Sequence, residues 1–141
     1  MSHEIKVTVT ERNGRKLAST GSAWEPVVGY SRAVRVGATI AVTGCVGIEA
    51  DGTFIPDLEA QSRRALKIVV ASIEALGGTS DDVIRTRIFV TDISQWKAVG
   101  NAHGEVFGEI RPATTMVEVA RLIDDAALVE IEADAIVATA D

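Results

Sequence analysis

The chain has 141 residues, 47% of them hydrophobic and 24% charged, with a net charge of −6. That size and balance predict one globular domain over residues 1–141 with a sizeable core, and the acidity argues against nucleic-acid binding. A lone cysteine, Cys45, excludes an internal disulfide, His3 and His103 are too few for a Cys/His metal site, and no run nears the roughly 18 apolar residues of a membrane span.

The first residues, Met1-Ser2-His3-Glu4-Ile5-Lys6, carry no hydrophobic signal core, so a cytoplasmic protein is expected. Strands at about 5–10 and 16–20 form an edge hairpin around Asn13-Gly14. Trp24-Glu25-Pro26 reads as a loop before Tyr30, where the tryptophan either caps a ligand site or packs over an edge. Residues 32–36 and 39–46 read as strands joined at Gly37-Ala38, with Ile40, Val42 and Val46 alternating with smaller residues.

After the Asp51-Gly52 turn, Asp57 is a good cap for a helix to about Leu76. Leu58, Ala65, Leu66, Val69, Ile73 and Leu76 form its apolar stripe, and Gly77-Gly78 ends it. A strand over 83–91 follows, with Ile84, Ile88 and Val90 on one face and Arg85, Arg87 and Phe89 on the other. Ser94 can cap a second helix that carries Trp96, Val99, His103, Val106, Phe107 and Ile110 and stops at Pro112. Strands over 114–121 and 127–137 close the chain. The order predicts an α+β fold: a mixed sheet with two helices packed on one face.

Strand alternation divides the sheet residues into two sets. Ile40, Val42, Val46, Ile84, Ile88, Val90, Val117, Val119, Val129, Ile131 and Ala133 face the helices. The other face then holds Thr43, Cys45, Arg85, Arg87, Phe89, Thr114, Met116, Glu118, Ala120, Leu122, Glu130, Glu132 and Asp134. Phe89, Met116 and Leu122 together form an apolar patch that closed self-association would cover. A half-wet sheet face with stray apolar residues is the plainer alternative.

The run Arg111-Pro112-Ala113-Thr114-Thr115-Met116-Val117-Glu118-Val119-Ala120-Arg121-Leu122, followed by Val129-Glu130-Ile131-Glu132-Ala133, resembles the signature of the reactive intermediate deaminase (Rid, or YjgF) family. Gly29-Tyr30, Ala41-Val42-Thr43-Gly44, Ile88-Phe89-Val90-Thr91-Asp92 and Asn101-Ala102 with Phe107 extend the likeness over roughly residues 28–138. The resemblance implies a chorismate-mutase-like fold and a homotrimer with clefts between subunits. It also implies hydrolysis of enamines or imines to 2-keto acids and ammonia, without cofactor or metal. Carried over residue by residue, Glu130 and Thr43 take catalytic positions. Tyr30, Gly44, Phe89, Thr114 and Met116 take substrate-binding ones.

One position departs from the family's Pro-Ala-Arg. Thr114 stands where an arginine clamps the substrate carboxylate. A guanidinium offers two parallel charged hydrogen bonds; threonine offers one neutral hydroxyl. The chain is an atypical member on this reading, with an altered or unknown substrate. Arg87 shares the face and is a candidate replacement, unless Arg85 and Arg87 pair with Glu118, Glu130, Glu132 or Asp134. Arg111, Arg32 and Arg35 are weaker candidates. Glu130 reads equally as a water-positioning group or an ion-paired strand residue. Cys45 reads as a packed thiol and His103 as a packed, hydrogen-bonded histidine. Two functional classes remain open: a hydrolase for imines, enamines or related small carbonyl derivatives, and a trimer that binds a small keto-acid-like metabolite without turnover. A chorismate mutase is a third reading, by fold analogy alone.

Overall fold

The structure is a computed structural model that describes residues 5–138; His3 lies outside them. Its strands are β1 (Thr8–Arg12), β2 (Arg15–Ser19), β3 (Ala33–Val36), β4 (Thr39–Val46), β5 (Val83–Val90), β6 (Ala113–Glu118) and β7 (Val129–Ile136). They form one sheet in the order β1-β2-β3-β4-β7-β5-β6, antiparallel except for the parallel β5–β6 pair. Helices α1 (Leu58–Ala75) and α2 (Trp96–Phe107) pack side by side over one face. The mixed sheet with two helices on one face is the architecture that the order of elements predicted.

Local chemistry places each element. Asn13 and Gly14 both adopt positive φ, which makes the tight β1–β2 turn. That hairpin starts three residues later than the sequence pattern suggests, because the turn fixes its register. Asp57 caps α1 by accepting the Ala60 amide at 2.9 Å. At the other end of α1 the Arg35 guanidinium donates to the Leu76 carbonyl at 2.7 Å, a cation placed on the negative end of the helix dipole. Asp92, rather than Ser94, starts the second helical segment: it accepts the Ser94 amide and leads through a short 3₁₀ turn into α2.

The core lies between sheet and helices. Ile40, Val42, Ile88, Val90, Val129, Ile131 and Ala133 meet Ala65, Leu66, Val69, Ile73, Val99 and Phe107 there. Alternation misassigned three places. Ile84 is 50% exposed, because β5–β7 pairing shifts between Val83 and Arg85 and leaves Ile84 as an extra residue. Cys45 is buried in the core instead of on the open face, and Val46, expected on the helix side, pairs with Glu130 on the other. β6 has the opposite parity to the one expected: Thr114 pairs with Thr86 and Met116 with Ile88, both on the helix side, while Val117 is 42% exposed on the open side. The strand ends at Glu118, so Leu122 does not belong to the open face.

Among the described residues no helix is long and apolar enough to cross a membrane.

Candidate functional site

The chemistry gathers on the uncovered sheet face at a β-bulge in β4. Pairing with β7 runs from Val42–Ala133 to Cys45–Ile131, so Thr43 and Gly44 together oppose Glu132. Such a bulge re-aims the residues after it. It turns Cys45 inward and leaves Thr43 and Gly44 beside the open surface.

Gly44 lets a side chain approach the backbone closely. A Cβ at that position would lie 2.8 Å from Cδ of Glu130, so the Glu130 side chain rests directly on the glycine. Glu130 is half-buried, and burial holds its carboxyl above the usual range. Glu132 reinforces that shift and Arg32 opposes it. Phe89 faces Glu130 across the β5–β7 pair.

Tyr30 and Thr43 border an open concavity of about 1030 Å³ between the sheet and the segment before β3, with Leu17, Ser31 and Val34 on its floor and Arg12 and Arg15 at the hairpin end. The segment before Tyr30 is a short π-turn, Glu25–Gly29, rather than an irregular loop. Buried Glu25 fixes it, accepting the amides of Thr20 and Ser22 at 3.3 and 3.1 Å. The Thr43 hydroxyl donates to the Ser31 carbonyl at 2.7 Å, tying β4 to the Tyr30 segment.

Arg87 is not a free cation. Its Nη1 lies 3.2 Å from Glu132 Oε1 and 3.2 Å from Asp134 Oδ2, the cross-strand pairing that the sequence offered as the alternative. Thr114 and Met116 do not join the group around Glu130 within one chain. They lie on the opposite sheet face, and β5 and β7 separate β6 from β4. Thr114 ends a hydroxyl chain instead: its Oγ1 is 2.8 Å from Thr86 Oγ1, which is 2.9 Å from His103 Nε2. His103 also packs against Phe107, and burial lowers its pKa.

Cys45 is no nucleophile. Burial pushes its thiol up to about 11, against the pull of Arg32. We expect an aromatic disulfide reagent to leave the native thiol unlabelled and to titrate the chain's one cysteine after denaturation. Rapid labelling of the folded protein would contradict this placement.

Sequence reasoning undervalued Arg32. It is 6% exposed and lies against Tyr30, Gly44 and Cys45. Its only signal was its place two residues after Tyr30; the bulge that brings Gly44 to it is a tertiary event.

Two helices over one sheet face, with the other face open around a glycine–glutamate contact, define a small α+β domain with one bare sheet face. The Endoribonuclease L-PSP family model matches residues 20–137, and the chain belongs to this family, the YjgF/Rid family. A solved Mycobacterium tuberculosis member of the YjgF/YER057c/UK114 family is 50% identical with a TM-score of 0.81, over 87% of this chain and 99% of that one. A 2-iminobutanoate/2-iminopropanoate deaminase of Salmonella typhimurium is 32% identical, over 86% of this chain and 97% of its own. The solved structure of Escherichia coli TdcF with bound serine is 28% identical with a TM-score of 0.73, over 77% and 88% of the two chains.

Proposed function

We propose that the chain is a hydrolase for small imines or enamines, acting as a homotrimer at clefts between subunits. The observation that carries this reading is Glu130: a half-buried carboxylate with a raised pKa, seated on Gly44, the residue after Thr43, which lines the concavity. A carboxylate raised in this way is a better proton acceptor than a fully solvated one. The deaminase and serine-bound relatives support a small amino-acid-derived ligand.

In the reaction, water held by Glu130 adds to the imine carbon and gives its proton to the carboxylate. That proton passes to nitrogen to give the carbinolamine, and the carbinolamine's hydroxyl proton follows it to nitrogen as the C–N bond breaks, releasing ammonia and leaving a carbonyl. Tyr30, Thr43 and the Gly44 backbone hold polar substrate atoms, and Phe89 walls the site. No cofactor or metal takes part.

Trimer formation would complete the site. The β6 edge, with Thr114 and Met116, reaches the Glu130 group only from another subunit. Exposed Val36, Val117 and Ile136 on the bare face favour such assembly, as do Val27 and Val28 on the π-turn.

The test is ammonia release from freshly generated 2-aminoacrylate, with sedimentation in parallel. Accelerated release by a species of three chains is the expected result. Release no faster than in buffer removes the activity, and a monomer removes the cleft. Thr114 favours a second reading, a trimer that binds a small metabolite without turnover. A ligand that raises Tm and is recovered unchanged would select it.

A further inference from the structure

We propose that Arg32 is the anion anchor of this site: its guanidinium, rather than any side chain at position 114, receives the carboxylate of a small 2-oxo or 2-imino acid. The inference rests on the reading of the site given above and names the substrate class, a monocarboxylate.

Arg32 is a buried cation with no carboxylate in ion-pair contact among the described residues; Glu25 and Glu130 act on it only at longer range. The Arg32 Nη1 donates to the Gly44 carbonyl at 2.9 Å and to Cys45 Sγ at 3.6 Å, and its Nη2 reaches the Tyr30 hydroxyl only at 3.4 Å. Every one of these acceptors is neutral, since the Cys45 thiol, at about 11, keeps its proton. None of the ion pairs among the described residues includes Arg32. Its Nε is buried with no hydrogen-bond partner at all. Burying a charge costs several kcal/mol even when it is paired, so an unpaired one calls for an explanation.

The unpartnered Nε and the weakly held Nη2 have the right shape. Nε and Nη2 form the side fork of the guanidinium, which matches the two oxygens of a carboxylate. Nη1 is already committed to Gly44, which fixes the plane of the fork. Tyr30, on which Nη2 rests, lines the concavity. The Arg32 carbonyl accepts the Thr43 amide at 2.9 Å, so the anchor and the bulge move together.

The field agrees. Arg12 and Arg15 border the same concavity against one acidic residue, Glu25, in a chain of net charge −6, a locally net-positive region that would draw an anion. Arg87 is held by Glu132 and Asp134. A single forked cation suits one carboxylate and not two.

Calorimetry with 2-oxobutanoate and with its uncharged amide, on the full-length protein and its Arg32→Gln and Arg32→Lys variants, tests the assignment. Arg32→Gln should weaken acid binding at least about 30-fold and leave amide binding unchanged. Arg32→Lys should restore only part of the loss, because an ammonium is a point charge. The Tm of ligand-free Arg32→Gln should be equal or higher, since an uncompensated buried charge has gone. Acid affinity that is undiminished in Arg32→Gln, or absent in the wild type, overturns the proposal. So does a variant that unfolds or loses its assembly, because Arg32 would then answer a carboxylate of the protein itself. Acid binding that depends on Arg32, in a protein that releases no ammonia from 2-aminoacrylate, upholds the anchor and removes the hydrolase. Turnover with an unchanged KM in Arg32→Gln does the reverse.

Discussion

Glu130→Gln should lower kcat for imine hydrolysis by about 10²–10⁴-fold, the range that a positioned acid–base group contributes. Glutamine keeps the shape that rests on Gly44 and loses only the proton acceptor. KM should change little, because the substrate's polar atoms are held elsewhere. The pH profile gives the second readout. Burial first, and Glu132 next, raise the Glu130 pKa. The acid limb of kcat/KM should therefore lie above the ordinary carboxylate range and disappear in the variant. Stability follows the same sign. A raised folded-state pKa stabilises the fold fully below the ordinary value, and this contribution is lost as pH rises through the folded value. Glu130→Gln should thus be at least as stable as the wild type near neutrality, and the difference should close in acid. A variant with wild-type kcat would leave Glu130 a structural residue.

Gln61→Leu should destabilise the fold by about 2–4 kcal/mol, since the groups it leaves unpaired are at least partly removed from water. Gln61 is 1% exposed on the sheet side of α1. Its Nε2 donates to the carbonyls of Ile55 and Ala126 at 3.0 and 2.9 Å, and its Oε1 accepts the Leu128 amide at 2.8 Å. Leucine fills the volume and answers none of the three. The expected fall in Tm is roughly 10 °C for a chain of this size. Because Gln61 pins the segment that leads into β7, the loss should also blunt whatever Glu130 does. Unfolding in urea measures the first effect, and an unchanged midpoint would mean that water replaces Gln61 at no cost.

Gln61 also shows where sequence reasoning stopped. The stripe of Leu58, Ala65, Leu66, Val69 and Ile73 announced α1 and its buried face, because apolar residues at three- and four-residue spacing have few other uses. A glutamine on that face carries no such signal; its worth depends on the Ala126 carbonyl, 65 residues away, which only the fold brings near. The family run from Arg111 to Leu122 identified the fold class for a similar reason: it records a whole tertiary arrangement in one stretch.

Site residues divided along the same line. Tyr30, Thr43, Gly44 and Glu130 were named from sequence, and the fold gathers them on one side of the sheet. Thr114 and Met116 were named with them, yet the parallel pairing of β6 to β5 turns both toward the helices. Alternation tells which residues share a face, not which face it is; the register of the neighbouring strand decides that.

By itself, then, the sequence determined the elements, their order and the α+β class, through periodicity, Asp57 as a cap and glycine turns. The tertiary structure decided which way β6 faces, that a bulge sends Cys45 inward, that Arg87 is paired with Glu132 and Asp134, and that Arg32 sits buried beside Gly44 with its Nε unanswered. Those are matters of register and long-range contact. They depend on how distant strands meet, which no local pattern of residue types encodes.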